Sequence, residues 1–440
     1  MPTAIEIFKF LPKSNCGKCG FPTCLAFAMQ LANQKVKLSA CPFVSDEAKS
    51  ALESSSAPPI RLVSVGTGDK KIELGEETEL YRHEKKFFHP TCYAVTIQDT
   101  LSEAEIDSRL NNLSKLEFER VGQILRLDMI AVENKSENSE TFSSVCSYIA
   151  SKTDFPLILI SSDDQSMKAA ASAVSSKKPL LYAADKNNID SMINVAKETK
   201  CPLVLKESDL SELASMAEKA KSAGVEDLML DMETSSLQQV VEKNTIVRKN
   251  AVKKTFRGLG YPIVTDARSV KNPIQTAMVS TMKYGGIVLL ENLKPSQALP
   301  LFVLRQNIFT DPQVPIQVKA GIYPVNNPAE GSPLLFTTNF SLTYFTVLGD
   351  IEKSKIPAWL LVVDTEGLSV MTAFSAGKLT PEKVAKSLED VDAKTKCGGS
   401  PVIMPGMLSR MSGKLQELSG MKVVVGPRES SGIPKILKNL

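Results

Sequence analysis

Four cysteines near the start of the chain offer its clearest chemistry. Cys16, Cys19 and Cys24 follow a C-x2-C-x4-C pattern, a fourth thiol comes after 16 further residues at Cys41, and Pro42 stands directly behind it. Four thiolates can hold a tetrahedral zinc ion or an iron–sulfur cluster. Structural zinc sites usually pair two separate C-x2-C knuckles. Three clustered cysteines with a distant Cys-Pro are more typical of a [4Fe–4S] centre, and that is the expected group. Gly17 and Gly20 let backbone amides approach the sulfurs, and Lys13 and Lys18 add positive charge nearby. The other cysteines, Cys92, Cys146, Cys201 and Cys397, are isolated in mostly apolar surroundings and read as small buried hydrophobes. Imidazole is scarce: the only histidines are His83 and His89, so chemistry in the rest of the chain proceeds without it.

A second concentration of chemistry lies near the carboxyl terminus. Thr338, Asn339, Phe340, Ser341, Thr343 and Tyr344 place hydroxyl and amide groups beside aromatic rings in one short run. Further polar or small clusters fall where strands should end: Thr365 within Asp364–Gly367, Pro405 with Gly406, and Gly426, Pro427, Arg428 and Glu429. Thr372, Ala373 and Gly377 make another small-residue turn, with Ser412 and Gly413 beyond it. Taken singly, each is an ordinary tight turn. Their recurrence at every strand end predicts a large ligand rich in amide groups, bound beyond the carboxyl ends of an open α/β sheet.

The elements that must position these groups follow from hydrophobic periodicity. Short β-type runs recur at Tyr93–Ile97, Met129–Val132, Leu157–Ile160, Leu180–Ala183, Pro202–Leu205, Asp227–Leu230, Ile263–Asp266 and Ile287–Glu291. Helix-compatible segments separate them, such as the one carrying Leu210, Leu213, Ala214 and Ala217. Eight such alternations predict a (β/α)8 TIM barrel; a doubly wound open sheet has the same local pattern, and the count favours the barrel. The chain therefore reads as a multidomain α/β protein with a cluster domain at 1–57, a linker with a short β-hairpin at 58–91, a barrel at 92–310, a Pro-rich linker at 311–333 and a small α/β, Rossmann-like domain at 334–440. Ser54–Pro59 suits an extended, flexible connection between the first parts.

Composition narrows the function. With 52 Lys plus Arg against 49 Asp plus Glu in 440 residues, no basic excess exists for neutralising phosphates, so nucleic acid is not the expected partner. The apolar runs, such as Ala358–Val363, fall far short of the ~20 residues that span a bilayer. The first ten residues lack a basic, then apolar, leader pattern. A cytoplasmic location with no membrane contact is the expectation.

The cysteine set, Thr337–Phe345, Trp359–Gly367 and Val425–Glu429 together resemble the large (gamma) subunit of the corrinoid/iron–sulfur protein of the acetyl-CoA decarbonylase/synthase system. The resemblance covers essentially the whole chain and its three-part order. It implies an amino-terminal [4Fe–4S] domain, a central TIM barrel, a terminal domain binding a cobamide, and a barrel-containing small subunit as heterodimer partner. It also implies a carrier role. Co(I) accepts a methyl group from methyltetrahydrofolate through a methyltransferase and passes it to acetyl-CoA synthase, and the cluster, fed by ferredoxin or a reductive activator, rescues Co(II). No histidine follows His89, so the cobamide domain cannot supply an imidazole ligand to cobalt. The residues of the carboxyl-terminal clusters named above are the expected cobamide contacts, with Thr372 placed near the lower face. Two other readings stand beside this one. In the first, the barrel is itself a methyltransferase for a methylated pterin, using Asp266, Glu291 and Asn292 near its strand ends. In the second, the chain is a plain electron carrier.

Overall fold

A computed structural model describes residues 4–32, 35–36, 38–45 and 58–439. Most of the expected Ser/Pro connection, 54–57, lies outside the described residues. The chain forms two compact units: one runs to Leu116 and resumes over Leu127–Phe309, and the other joins Glu117–Arg126 to the residues from Thr310 onward. No helix among the described residues is long and apolar enough to cross a membrane.

The first unit is built on β3 (Cys92–Gln98), β6 (Met129–Glu133), β7 (Leu157–Ile160), β8 (Leu180–Ala184), β9 (Leu203–Lys206), β10 (Leu228–Asp231), β11 (Ile263–Asp266) and β12 (Gly285–Leu290). All eight runs expected from the sequence are strands. They are almost continuously apolar because a parallel strand covered on both faces has no solvent side to alternate with. The first and last barrel strands pair directly, Ile287 opposite Cys92 and Leu290 opposite Val95, which closes the barrel and removes the open-sheet alternative. Helices start promptly after several strands because capping residues stand there: Asp163, Asp209 and Ser236 each accept backbone N–H bonds from the first helical turn.

The hairpin expected before the barrel exists as β1 (Val63–Val65) and β2 (Ile72–Leu74), paired antiparallel. It serves as a plug. Val63, Val65 and Leu74 are buried in the same cluster as the inward residues Ala94, Ala131 and Met229 of the barrel. The Gly66 amide donates to Lys178 O and the Arg61 amide to Gly260 O, both at 2.9 Å, which ties the hairpin to the amino-terminal side of β8 and β11.

In the second unit the sheet order is β13 (Gly321–Val325), β15 (Ala358–Val363), β14 (Leu334–Thr338), β16 (Val402–Met404) and β17 (Val423–Val425). The last four are mutually parallel; β13 runs antiparallel to β15. This corrects the reading of 311–333 as linker alone. Pro324 lies within β13, and proline, lacking an N–H, is tolerated on an edge strand whose outer side needs no ladder partner. Period-2 alternation divides the core. Leu334 and Phe336 face the helices at Pro381–Asp390 and Ser412–Ser419, whereas Leu335 faces those at Ser341–Ser354 and Ile433–Leu437. After β16 the chain makes a 3-10 turn, Gly406–Met411, and then the α-helix Ser412–Ser419.

The β/α alternation does not foresee β4 (Glu117–Arg120) and β5 (Gln123–Arg126), a hairpin that leaves the barrel sequence and groups with the second unit. Its two-residue loop has Val121 at φ 52° and Gly122 at φ 68°, the type I′ geometry that matches strand twist. A Cβ at Gly122 would stand 2.6 Å from Phe345 Cζ. Gly122→Val should therefore cost about 2 kcal/mol in urea unfolding of the second unit. Gly413→Ala, in a first helical turn with nothing within 4 Å of the new methyl, should cost nothing. Equal effects from the two changes would refute this role for the hairpin tip.

Candidate functional site

The cysteine segment is a loop of tight turns leading into a helix. Asn15, Gly17 and Gly20 all have positive φ, and the Gly20 amide donates to Gly17 O at 2.9 Å. Cys24 opens the helix Cys24–Ala32, and its N–H is capped by Asn15 Oδ1 at 2.8 Å. Cys19, Cys24 and Cys41 share one apolar cluster with Ile7, Leu11 and Phe27, while Cys16 is exposed. The Lys18 backbone and the Ser14 hydroxyl hydrogen-bond to the Cys16 sulfur and hold its pKa below the ordinary thiol value. The fold thus gathers four thiols into one small unit. Among the described residues it does not bring three of them within reach of one metal ion. The donor chemistry suits a cluster, and nothing stands within 4 Å of a Cβ built on Gly17 or Gly20. The four isolated cysteines are all buried, as small hydrophobes should be.

The second unit contains a cavity of ≈ 420 Å³. It lies where the strand order reverses, since β14 is flanked by β15 on one side and β16 on the other, and its walls come from the segments following β14, β15, β16 and β17. This is the crevice that open α/β sheets use for ligands. Leu335, Phe336 and Ile403 supply apolar walls; Leu342, Met371 and Met407 also line it, although they are 59%, 40% and 52% exposed. Apolar side chains of that size usually leave water, so their exposure around one opening marks a binding surface. Thr337 Oγ1, Thr338 Oγ1 and Ser341 Oγ are buried and have no hydrogen-bond partner; of the three, only Thr337 lines the cavity. An unmade bond on a buried polar group costs about 1–3 kcal/mol, so the hydroxyl on the cavity wall calls for a ligand with a matching group.

The structure sorts the expected contacts into distinct roles. Thr343, Pro405, Pro427 and Arg428 line the cavity, whereas Thr338 and Ser341, though their hydroxyls are buried and unpartnered, stand outside the lining. Asn339 and Thr365 are consumed internally. Asn339 Oδ1 accepts from Thr365 N, Thr365 Oγ1 and Gly367 N, and its Nδ2 donates to Gln317 and Asp364. This network locks the loops after β14 and β15 together. Gly406 and Gly426 are required by close backbone approach: a Cβ on Gly406 would meet Gly426 O at 2.5 Å, and one on Gly426 would meet Met404 O at 2.7 Å. Tyr344 and Ala373 are core residues. Thr372 is bonded to Ser369 Oγ at 3.0 Å, Gly377 ends a helix at φ 67°, and Phe340, Ser412, Gly413 and Glu429 stand outside the lining. Sequence reasoning missed Leu342, Met371 and Met407 because exposure of an apolar residue leaves no local signal. Thr337 was legible as a hydroxyl in the run that leads to Tyr344, whereas Ser430 lies just beyond the cluster that ends at Glu429 and was missed.

Residues 62–437 match a family model described as CO dehydrogenase/acetyl-CoA synthase delta subunit, and residues 11–43 match one named for an Fe-S cluster. The corrinoid/iron-sulfur protein large subunit of Moorella thermoacetica is 42% identical over 433 residues, 98% of this chain and 97% of that protein. The chain belongs to the corrinoid/iron–sulfur protein large-subunit family. The acetyl-CoA decarbonylase/synthase complex subunit gamma of Methanothermobacter thermautotrophicus is 34% identical, covering 100% of this chain and 99% of its own. These end-to-end matches, which include the cysteine segment outside the delta-subunit model, identify the subunit as large or gamma. Among solved structures, the 7,8-dihydropteroate synthase from Vibrio fischeri ES114 covers 56% of the chain and 97% of its own length at 14% identity and a TM-score of 0.38, a distant likeness that says nothing of the site.

In this family member the mouth of the barrel is a self-contained polar network. The Tyr182 hydroxyl donates to Asp231 Oδ2 at 2.5 Å and reaches Asp266 Oδ2 at 3.1 Å. Arg268 holds Asp266 through two nitrogens and Glu133 through a third. Glu291 offers its carbonyl to Arg109, and Asn292 Oδ1 caps the Leu293 amide. Burial pushes the Asp231 carboxyl up to about 6, whereas the Arg268 hydrogen bonds and charge outweigh burial at Asp266 and hold it below the ordinary range. A carboxyl whose folded pKa is raised stabilises the fold while protonated, below about pH 4, and loses that contribution as pH rises through 6. Asp231→Asn, which keeps an acceptor for Tyr182, should therefore gain stability relative to the parent between pH 4.5 and pH 8, by up to ~3 kcal/mol. A stability difference that stays flat over that range, measured by thermal unfolding, would contradict the buried-carboxyl account.

Proposed function

We propose that this chain is a corrinoid methyl carrier that holds a cobamide in the cavity of its second unit and a [4Fe–4S] cluster on Cys16, Cys19, Cys24 and Cys41. When bound, the cobamide supplies nucleophilic cobalt for methyl transfer, and the cluster supplies low-potential electrons that restore that cobalt after oxidation. The observation that carries the reading is the apolar cavity at the point where the strand order reverses, with the unpartnered buried hydroxyl of Thr337 on its wall. An apolar crevice of that kind with an unmet hydroxyl suits part of a large, amide-fringed macrocycle. Thr337 donates to a ligand oxygen that no group in the chain replaces.

The chain's own residues then bind and orient. Leu342, Met371 and Met407 cover an apolar face, and the Asn339 network keeps the surrounding loops from collapsing into the cavity. The second unit has no histidine, so no imidazole of that unit competes for the metal. Free donors for a reaction at the barrel mouth are not what the fold provides: Asp266, Arg268 and Glu133 satisfy one another. The barrel therefore acts as a docking body. Its partners in this reading are the small subunit, the methyltetrahydrofolate methyltransferase, acetyl-CoA synthase and an electron donor such as ferredoxin.

Because an unpartnered buried hydroxyl stabilises nothing in the free protein, Thr337→Val should leave the melting temperature of the corrinoid-free chain unchanged or raised. It should nevertheless weaken hydroxocobalamin binding by about tenfold. Lowered stability with unaltered affinity would remove this hydroxyl from the site, and failure of the parent protein to bind any corrinoid would end the carrier reading. Anaerobic preparations should contain about four irons per chain, and Cys24→Ser should deplete them. A colourless protein carrying one zinc would instead assign the four thiols to a structural metal.

A further inference from the structure

Arg428 is the one charged side chain on the cavity lining. Among the described residues nothing pairs with it, in contrast to Arg248, Arg268 and Arg305, each of which meets a carboxylate. Its position is also fixed. The Gly406 amide donates to Pro427 O at 3.0 Å and the Gly432 amide to Glu429 O at 3.1 Å. A Cβ on Gly432 would press on Pro427 at 2.6 Å. The loop is thus pinned on both sides of the arginine, whose side chain is exposed at the edge of an apolar cavity that also carries the hydroxyl of Thr343; the Ser430 hydroxyl is taken up by Asp350. A guanidinium without a counter-charge at a cavity edge is a receptor for a phosphate group, which it can engage through two parallel N–H bonds.

A complete cobamide has one such group: the phosphodiester that links the corrin side chain to its nucleotide. Cobinamide, the same macrocycle without the nucleotide, lacks it. Resting on the corrinoid reading above, we propose that Arg428 binds the phosphodiester of the cobamide and makes the site selective for cobamides that carry their nucleotide. The apolar cavity, with Thr337 on its wall, then takes the base. Selectivity arises because a corrinoid with its nucleotide gains a charge-assisted contact to Arg428 that a tail-less one cannot make.

The corrinoid-free full-length chain, together with its small subunit, should be titrated with hydroxocobalamin and with diaquacobinamide, following the visible spectrum. The parent should prefer cobalamin by tenfold or more. Arg428→Gln should lower cobalamin affinity about tenfold and leave cobinamide affinity unchanged, and that unchanged affinity also shows that the variant is folded. Arg428→Lys should retain part of the preference, and raising the salt concentration should narrow it in the parent but not in Arg428→Gln. Equal losses for both ligands, or no loss for either, would overturn the assignment of Arg428 while leaving the corrinoid reading intact. Failure of the parent to bind either ligand would overturn both.

Discussion

The parallel pairing of β14 with two neighbours at once is the constraint on which the second unit depends. Leu335 stands opposite Leu360 of β15 and opposite Ile403 of β16. The chain leaves β14 by a helix on one face to reach β15 and returns by helices on the other face to reach β16. Connections diverging in opposite directions cannot fill the space between them, so a crevice opens at the carboxyl end of β14. Thr337, next to last in that strand, lines the crevice by register, whereas its neighbour Thr338 points to the other face of the sheet.

The two sites use their polar groups differently. At the barrel mouth Tyr182, Asp231, Asp266, Arg268 and Glu133 are bonded to one another. At the cavity the chain meets the needs of the framework, through the bonds made by Asn339, but leaves the Thr337 hydroxyl on the wall unmet. At about 1–3 kcal/mol each, unmet buried bonds are a sizeable fraction of a domain's marginal stability. A bound ligand that satisfies them recovers that energy as affinity. Stability given up in the free protein is a source of binding energy in the complex.

A carrier also has to hand its cargo to other proteins. The exposed apolar residues Leu342, Met371 and Met407 surround the opening without covering it, and no titratable side chain of the lining other than Arg428 bears charge there. Nearly balanced charge over the whole chain suits successive, reversible docking with several proteins better than long residence on one polyanion.

Much of this was already written in local pattern. Cysteine spacing, eight β/α alternations, the capping residues that start the helices, the missing histidines and the turns at strand ends are properties of neighbouring residues, and the chain's order alone determined them. What it could not determine was which distant segments meet. Closure of the barrel needs Ile287 beside Cys92; the place of Pro324 needs an edge strand beside β15; the hairpin at Glu117–Arg126 needs Phe345 to meet Gly122. The same holds for the site. Asn339 and Thr338 look alike in sequence as adjacent polar residues. Only the approach of the loop at Asp364–Gly367 satisfies the first and leaves the second without a partner, because hydrogen-bond satisfaction and burial are set by contacts far apart along the chain.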